Sequence, residues 1–336
     1  MEIVLFIIFV LVGAFLILYG ANFLVDGAVA IAYRLNVSTA IVGLTIVAFG
    51  TSAPELAVSL TGAIQGQTGI SLGNIVGSNI FNILAILGVS ALIRPLIVGK
   101  SSLRYEMPFM LVATLALCLV SLDYLFEENV VDKISRADGL LLLLFFAIFM
   151  AYSLATAKKS EPAIEEREPT SLESNKAIPK KGYLSILMII GGLAMLVIGS
   201  KLFVRGSSEI ARSFGISEAV IGVTLAALGT SLPELITSVV AVRKGQIDIA
   251  VNNVVGSNIF NIFLILGLTA TVSPLKRGEI MGMDYLFMLG SALLLVLFSW
   301  FPKKGILTRF SGLILLLAYI AYMLLLVMRV TGTTHF

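Results

Sequence analysis

The sequence predicts an all-α polytopic membrane protein with ten transmembrane helices, arranged as two inverted-topology five-helix repeats. The composition indicates a lipid environment, since 58% of the 336 residues are hydrophobic and 13% are charged, and the mean hydropathy is +1.02. A water-soluble core could not absorb that much apolar surface. A series of apolar runs and a long internal repeat then give the number of helices and their arrangement.

Each crossing of a bilayer needs about 20 apolar residues in a helix. Runs that meet this length predict spans at 3–25, 38–64, 70–92, 105–123, 137–155, 183–204, 216–242, 248–270, 284–301 and 306–328. A polar segment rich in charge separates the fifth run from the sixth. The predicted organisation is therefore a first membrane repeat at 1–155, a linker at 156–182 and a second membrane repeat at 183–330.

Two hexapeptides occur twice inside these apolar runs. Gly50–Glu55 (GTSAPE) recurs as Gly229–Glu234 (GTSLPE), and Gly77–Asn82 (GSNIFN) recurs unchanged as Gly256–Asn261. Both recurrences lie 179 residues downstream, so the two copies align without a gap. A duplication of this length does not arise by chance.

The duplication extends well beyond the hexapeptides. Of the 48 positions in 41–88, 25 are identical to their counterparts in 220–267, and the repeated motif regions are 43–88 and 222–267. Five crossings per copy is an odd number, so the second copy must enter the membrane from the opposite side. The sequence therefore predicts an inverted repeat, an architecture that alternating-access transporters use.

Each GTSxPE hexapeptide combines a helix break with a carboxylate. Pro54 has no N–H to donate to the carbonyl of Gly50, and Gly229 and Pro233 repeat this pair. Irregular backbone at membrane depth is tolerated only where protein or a water-filled cavity satisfies it. A charge at the bilayer centre costs from about 2.5 to more than 10 kcal/mol, so the duplicated glutamate indicates a functional site.

The polar groups of each copy are predicted to share one face. Residues spaced i, i+3, i+4 and i+7 lie on the same side of a helix. This spacing relates Ala48, Thr51, Ser52 and Glu55, and it also relates Ala227, Thr230, Ser231 and Glu234. The following helix adds Ser78 and Asn82 in the first copy, and Ser257 and Asn261 in the second. The predicted site is therefore built from carboxylate, hydroxyl, amide and carbonyl oxygens.

A set of hard oxygen ligands suits Ca²⁺, which takes about 6 to 8 of them, and it would also suit Na⁺. Cys118 and His335 are the only cysteine and histidine, so a transition-metal site or an imidazole proton relay is disfavoured. No pair of nucleophile and base stands out, so we do not expect an enzyme. We expect no cofactor beyond the transported ions.

Other classes of partner find little support. The net charge is only +3 and the basic residues are dispersed, so nucleic-acid binding has no electrostatic footprint. The stretch 99–101 is similar to the end of a phosphate-binding loop, but Arg94 occupies the required first glycine position. We therefore expect the lipid bilayer and small cations as partners, without nucleic acid or nucleotide, and a monomer.

The motif GTSxPE followed by GSNxxN, in both halves, resembles the α-repeats of the sodium/calcium exchanger family within the cation/Ca²⁺ exchanger superfamily. The resemblance covers nearly the whole chain, and the short linker is similar to that of prokaryotic members. It implies one central Ca²⁺ site flanked by Na⁺ sites that share its ligands. It also implies that the long first and sixth helices slide against the rest of the protein to switch access.

The resemblance also implies individual roles. Glu55 and Glu234 would bind Ca²⁺ directly, together with oxygens of Thr51 and Thr230. The ligands implied for Na⁺ are Ser52, Ser231, Ser78, Ser257 and the carbonyls of Ala48 and Ala227, and Asn82 would lie at the central site. Relatives that co-transport K⁺, and some archaeal ones, carry Asp where this chain has Asn261. The asparagine has the same shape as a protonated aspartate but cannot contribute a negative charge. We therefore expect transport that does not depend on K⁺.

The predicted function is secondary active antiport of Na⁺ for Ca²⁺ by alternating access. Two ionised glutamates give the site a charge of −2, which Ca²⁺ neutralises and three Na⁺ overcompensate, so transport is expected to be electrogenic. The stoichiometry of three to one comes from the resemblance. A proton-coupled cation exchanger of the same fold is the alternative, and a cation channel is disfavoured by the inverted repeat.

The distribution of Lys and Arg predicts the orientation in the cell inner membrane. With the N-terminus outside, fifteen basic residues fall on the cytoplasmic side and eight on the other. Both termini are then expected outside and the linker in the cytoplasm. The chain starts without a basic segment before its first apolar run, so we expect that run to be a retained span.

Overall fold

The computed structural model describes residues 2–122, 133–157, 182–216, 227–276, 282–301 and 303–330, together with residues 221 and 280. The described chain is an all-helical membrane fold. Eight of the described helices are long and apolar enough to cross a bilayer, and a helix pair bent at a short break brings the number to nine if the pair is one span. The predicted linker at 156–182 falls almost wholly outside the described residues, and so does the start of the predicted span at 216–242.

The helices are α1 (Glu2–Leu35), α2 (Thr39–Thr51), α3 (Ala53–Ile64), α4 (Thr68–Ile93), α5 (Ser102–Ser121), α6 (Arg136–Ala157), α7 (Gly182–Ser213), α8 (Ala227–Thr230), α9 (Leu232–Arg243), α10 (Ile247–Val272), α11 (Gly282–Trp300) and α12 (Arg309–Val330). Four two-residue strands lie between helices. The strand β1 (Leu96–Ile97) pairs antiparallel with β4 (Ile306–Leu307), and β2 (Lys133–Ile134) pairs antiparallel with β3 (Leu275–Lys276). Each pair therefore joins the first half of the chain to the second.

Two helices are longer than the sequence predicted. Helix α1 continues to Leu35 rather than ending at 25, and α7 continues to Ser213 rather than 204. Charged residues lie in both extensions without ending the helix, because they find partners there. The carboxylate of Asp26 accepts a 2.6 Å hydrogen bond from Nζ of Lys244 on the turn after α9. Both helices therefore extend beyond the predicted spans 3–25 and 183–204.

Helices α1 and α7 run antiparallel with their backbones in contact. A Cβ atom added to Gly192 would lie 2.7 Å from the carbonyl oxygen of Gly20, and one added to Gly20 would lie 2.7 Å from the carbonyl oxygen of Gly192. Gly13 and Gly199 make the same reciprocal approach one heptad away. Small residues of this kind let membrane helices pack closely. The two helices therefore form one tightly joined pair.

Helices α4 and α10 form the centre of the molecule. In each, 83% of the most apolar stretch is buried, whereas the value for α1 is 17%. Each central helix contains a π-helical segment, Asn82–Ile86 in α4 and Phe260–Leu266 in α10. Such segments are rare and are frequently found at functional sites, because they change the direction of side chains within a helix. Both candidate asparagines, Asn82 and Asn261, lie in them.

The helices that precede α4 and α10 are interrupted. The axes of α2 and α3 differ by 43°, with the break at Ser52. The equivalent residue Ser231 separates α8 from α9 and has similar dihedral angles, φ −91° and ψ 6° compared with −83° and 5°. Pro54 and Pro233 lie in the first turn of the helix that follows, where no N–H is needed. The interruptions place polar residues at two helix ends deep in the protein.

Candidate ion-binding site

Two glutamates lie buried at the helix interruptions. Glu55 is 1% exposed and Glu234 is 0% exposed, and each lies in the first turn of its helix, α3 or α9. The N-terminus of a helix carries partial positive charge, which favours a carboxylate there. This field lowers the cost of burying the two acidic groups, but a compensating positive charge would lower it far more.

Serine hydroxyls connect the two glutamates crosswise. Ser52 Oγ donates to Oε1 of Glu234 over 3.0 Å, and Ser231 Oγ donates to Oε1 of Glu55 over 2.8 Å. Ser231 Oγ also lies 3.0 Å from Ser78 Oγ on α4. Each hexapeptide therefore holds the carboxylate of the other, and the predicted site residues from both copies meet in one network.

The two threonines bond to asparagines that were not among the predicted site residues. Thr51 Oγ1 donates to Oδ1 of Asn253, and Thr230 Oγ1 donates to Oδ1 of Asn74, both over 3.2 Å. Asn74 Nδ2 also donates to the backbone carbonyl of Glu55 over 3.3 Å. Asn74 and Asn253 are 179 residues apart, so their place in the repeat is the sequence feature that could have identified them as part of the site.

Asn82 and Asn261 bond across the centre rather than within their own helices. Asn82 Nδ2 donates to Oδ1 of Asn258 over 3.0 Å, and Asn261 Nδ2 donates to Oδ1 of Asn79 over 3.1 Å. All four side chains are buried. Asn79 and Asn258 were not among the predicted ligands, and in the structure they contact two residues that were.

Five oxygen atoms of the predicted site residues are buried and accept no hydrogen bond from any described residue. They are Oε2 of Glu55, Oε2 of Glu234, Oδ1 of Asn82, Oδ1 of Asn261 and Oγ of Ser257. Nearly all buried polar atoms in proteins have a hydrogen-bond partner, so a group of exceptions requires an explanation. Two of the five belong to carboxylates. A bound cation would coordinate these two oxygens and would also balance their negative charge.

The remaining predicted residues lie around this network. The carbonyl oxygen of Ala48 accepts a 3.0 Å hydrogen bond from the N–H of Ser52, and Ala227 begins α8, with its side chain outside the described part. Gly50 and Gly229 pack against α7, since an added Cβ would lie 2.6 Å from Leu193 and 2.5 Å from Val204. Their small size thus allows α7 to approach the interrupted helices.

Two cavities reach the network. The larger, about 690 Å³, lies between α3 and α7, and its lining includes Pro54, Gly229 and Thr230 at one end and Gln65 and Gln67 at the other. The smaller, about 300 Å³, extends from Asn74 to the Asp284–Arg329 ion pair between α4, α11 and α12.

Comparison with known proteins agrees with this geometry. The model of the family described as sodium/calcium exchanger protein matches residues 5–155 and 184–328. CaxA of Alkalimonas amylolytica is 39% identical over 321 residues, covering 95% of this chain and 98% of its own. The inner membrane protein YrbG of Escherichia coli is 34% identical over 324 residues, covering 94% and 95%.

A solved structure is similar along nearly the whole chain. It is the sodium-calcium exchanger NCX_Mj, soaked with Na⁺ and Sr²⁺, which superimposes with a TM-score of 0.77 at 32% identity and covers 95% of this chain and 97% of its own. The family and the fold are those of transporters rather than enzymes, and the class of protein is a membrane cation antiporter. The chain belongs to the sodium/calcium exchanger protein family, among the prokaryotic members of the cation/Ca²⁺ exchanger superfamily.

Proposed function

We propose that the protein exchanges Na⁺ for Ca²⁺ across the membrane as a secondary active antiporter that works by alternating access. The observation that carries the proposal is the buried network in which Glu55 and Glu234 are crosswise bonded and each retains an oxygen that accepts no bond from the described chain. Two carboxylates in one desolvated site need a cation of matching charge, and Ca²⁺ supplies it.

The same carboxylates serve both ions in this proposal. Ca²⁺ binds between Glu55 and Glu234 with oxygens of Thr51 and Thr230, and Asn82 and Asn261 contribute amide oxygens. Na⁺ uses the glutamates with Ser52, Ser231, Ser78, Ser257 and the carbonyls of Ala48 and Ala227. Because Ca²⁺ and Na⁺ need the same two charges, they exclude one another, and this exclusion couples their movements.

The proposed architecture is ten helices in two inverted units, 1–155 and 183–330, with the linker 156–182 between them. The repeat offset of 179 residues supports it, and so do the two separate segments matched by the family model, 5–155 and 184–328. The crosswise serine–glutamate bonds are the contacts that such a pair of units would make at its centre. An inverted pair places both breaks at similar membrane depth, which suits a single central site.

Access alternates in this proposal by movement of α1 and α7 as one body. The close approach of their glycines supports their moving together. The larger cavity borders α7 and reaches Thr230, so a shift of α7 along the interrupted helices would change its connection to the site. We place this cavity on the outer side, because the distribution of basic residues favours an outer position for the turn between α3 and α4, and Gln65 and Gln67 of that turn line the cavity. In this proposal the termini are outside and the linker is in the cytoplasm.

The proposal includes electrogenic transport of three Na⁺ for one Ca²⁺ without K⁺. Asn261 keeps the formal charge of the site at −2, which leaves one surplus positive charge when three Na⁺ are bound. The protein is proposed to act as a monomer in the cell inner membrane, and the similarity to the inner membrane protein YrbG supports that location.

Uptake of ⁴⁵Ca²⁺ into proteoliposomes loaded with Na⁺ tests the function. We expect uptake when external Na⁺ is replaced by choline and none when internal Na⁺ equals external Na⁺, at constant pH on both sides. Uptake that ignores the Na⁺ gradient and follows a pH gradient would instead establish proton coupling, with the glutamates carrying protons. Liposomes without protein provide the background.

A further inference from the structure

The amides of Asn82 and Asn261 must face the ions with oxygen rather than nitrogen. An asparagine side chain has an acceptor oxygen on one side and a donor NH₂ group of the same size on the other, and its shape alone does not select between them. Only the hydrogen-bond partners of the amide decide which atom faces the site. Asn82 on α4 bonds to Asn258 on α10, and Asn261 on α10 bonds to Asn79 on α4.

The orientation of Asn82 follows from a chain of bonds that starts at the backbone. The carbonyl oxygen of Asn79 can only accept, and it receives a 3.3 Å hydrogen bond from Nδ2 of Asn258. Oδ1 of Asn258 is therefore the atom that meets Asn82, and it accepts from Nδ2 of Asn82 over 3.0 Å. Oδ1 of Asn82 is left buried with no partner in the described ranges.

The orientation of Asn261 is determined less completely. Its Nδ2 donates to Oδ1 of Asn79 over 3.1 Å, which leaves its own oxygen buried and unbonded within the described chain. Nδ2 of Asn79, however, is also buried and donates to no described atom. No backbone acceptor fixes the Asn79 amide, so it can turn over together with that of Asn261.

We propose that Asn258 and Asn79 are positioning residues that direct the amide oxygens of Asn82 and Asn261 toward the transported cations, with Asn82 the more firmly held. Asn258 in the second half of the chain positions Asn82 in the first half, and Asn79 in the first half positions Asn261 in the second. The inference rests on the proposed function. Asparagines that merely joined α4 to α10 would contribute to stability, whereas positioning residues set the affinity for ions.

The test compares the apparent KM for Ca²⁺ of wild-type protein, Asn258→Leu and Asn258→Asp in Na⁺-driven ⁴⁵Ca²⁺ uptake. Loss of a group that orients a metal ligand typically weakens binding about 10- to 100-fold. We expect Asn258→Leu to raise KM about tenfold with a smaller change in maximal rate. Asn258→Asp should restore most of the affinity at a pH at which the buried carboxyl is protonated, because the protonated oxygen then donates to the carbonyl of Asn79 and the other oxygen accepts from Asn82. Asn79→Leu should raise KM less than Asn258→Leu does.

Thr269→Val is the matched control, because Thr269 is buried on the same helix α10 and its hydroxyl has no partner in the described chain. Combining Asn258→Leu with Asn82→Ser should raise KM no further than Asn82→Ser alone, whereas combining it with Asn261→Ser should be additive. If Asn258→Leu does not fold, Asn258→Ser replaces it in the same series.

Provided that the wild-type protein exchanges the ions, two results would overturn the inference. One is an unchanged KM in Asn258→Leu, and the other is an effect of Asn258→Leu on KM that adds fully to that of Asn82→Ser. A fall in melting temperature with normal KM would assign the asparagines to helix packing alone, which also overturns it. Failure of the wild-type protein to exchange Ca²⁺ for Na⁺ would refute the proposed function instead.

Discussion

The hydroxyl of Ser231 donates a 2.8 Å hydrogen bond to Oε1 of Glu55, although the two residues are 176 positions apart in the chain. The equivalent bond from Ser52 to Glu234 is 3.0 Å long. Each bond occupies one carboxylate oxygen and leaves the other, Oε2, without a partner among the residues that the structure describes. The protein thus orients both carboxylates and leaves one oxygen of each for the cation of the proposed site.

Glu55→Gln and Glu234→Gln should each reduce Na⁺-driven Ca²⁺ uptake to background. Glutamine keeps the shape of the side chain but removes one of the two charges that the site presents to Ca²⁺. Uptake of ⁴⁵Ca²⁺ and the melting temperature of the purified protein are to be measured together. We expect the melting temperature to be maintained, since a buried charge is costly without a partner.

Glu209→Gln is the control for these two variants, because it makes the same chemical change at the partly exposed ion pair with Arg212 on α7. Surface ion pairs contribute little, so uptake should stay near the wild-type rate. Normal uptake by either Glu55→Gln or Glu234→Gln would remove that residue from the proposed site.

Ser52→Ala should lower the apparent affinity for both Na⁺ and Ca²⁺ by about tenfold, as expected for loss of a group that orients a metal ligand. The physical reason is that Glu234 loses the donor that fixes its carboxylate. Ser52→Thr retains a hydroxyl and should recover part of the affinity. The measurement is uptake as a function of each ion.

Ser90→Ala is the matched change for this series, since Ser90 is buried on α4 and its hydroxyl bonds to no described residue. Equal affinities in Ser52→Ala and Ser90→Ala would show that the crosswise bond has no role in ion binding.

Gly192→Ala should destabilise the protein, whereas Gly191→Ala should not. A methyl group at Gly192 would lie 2.7 Å from the carbonyl oxygen of Gly20 and from the backbone nitrogen of Leu24, but one at Gly191 has no atom within 4 Å in the described chain. Overpacking of this kind costs about 1 to 3 kcal/mol. Melting temperatures in detergent measure the difference, and equal values for the two variants would contradict the close contact of α1 with α7.

Uptake of Ca²⁺ should respond to membrane potential. Exit of three Na⁺ with entry of one Ca²⁺ moves one net positive charge outward, so an inside-positive potential should accelerate uptake. The driving force is about 2.3 kcal/mol per charge for each 100 mV. Valinomycin with high external K⁺ sets an inside-positive potential, and reversal of the K⁺ gradient should slow uptake. A rate that is the same under both conditions would indicate electroneutral exchange.

The repeat made much of the candidate site predictable from sequence. Glu55 and Glu234 were predicted as site residues because a duplicated carboxylate in an apolar run has few explanations other than function, and the structure brings both into one buried network. Their serine neighbours were found because helical spacing places them on the same face. The membrane fold followed from composition, and the comparisons confirmed the family.

Other features depend on contacts that local patterns do not contain. The bond of Asp26 to Lys244 joins residues 218 positions apart, so nothing near Asp26 revealed that α1 continues past it. The π-helical segments at Asn82 and Asn261 arise within long apolar helices that have no distinguishing spacing. Asn74 and Asn253 repeat at the same offset of 179 residues, but they lie outside both hexapeptides.

The central claim is that Na⁺ and Ca²⁺ compete for the same two glutamates, and equilibrium binding of ⁴⁵Ca²⁺ to the purified protein tests it most directly. We predict that saturating Na⁺ displaces bound Ca²⁺ to background while choline at the same concentration does not, and that Glu55→Gln binds no Ca²⁺. Retention of bound Ca²⁺ by the wild-type protein in saturating Na⁺ would contradict a shared site.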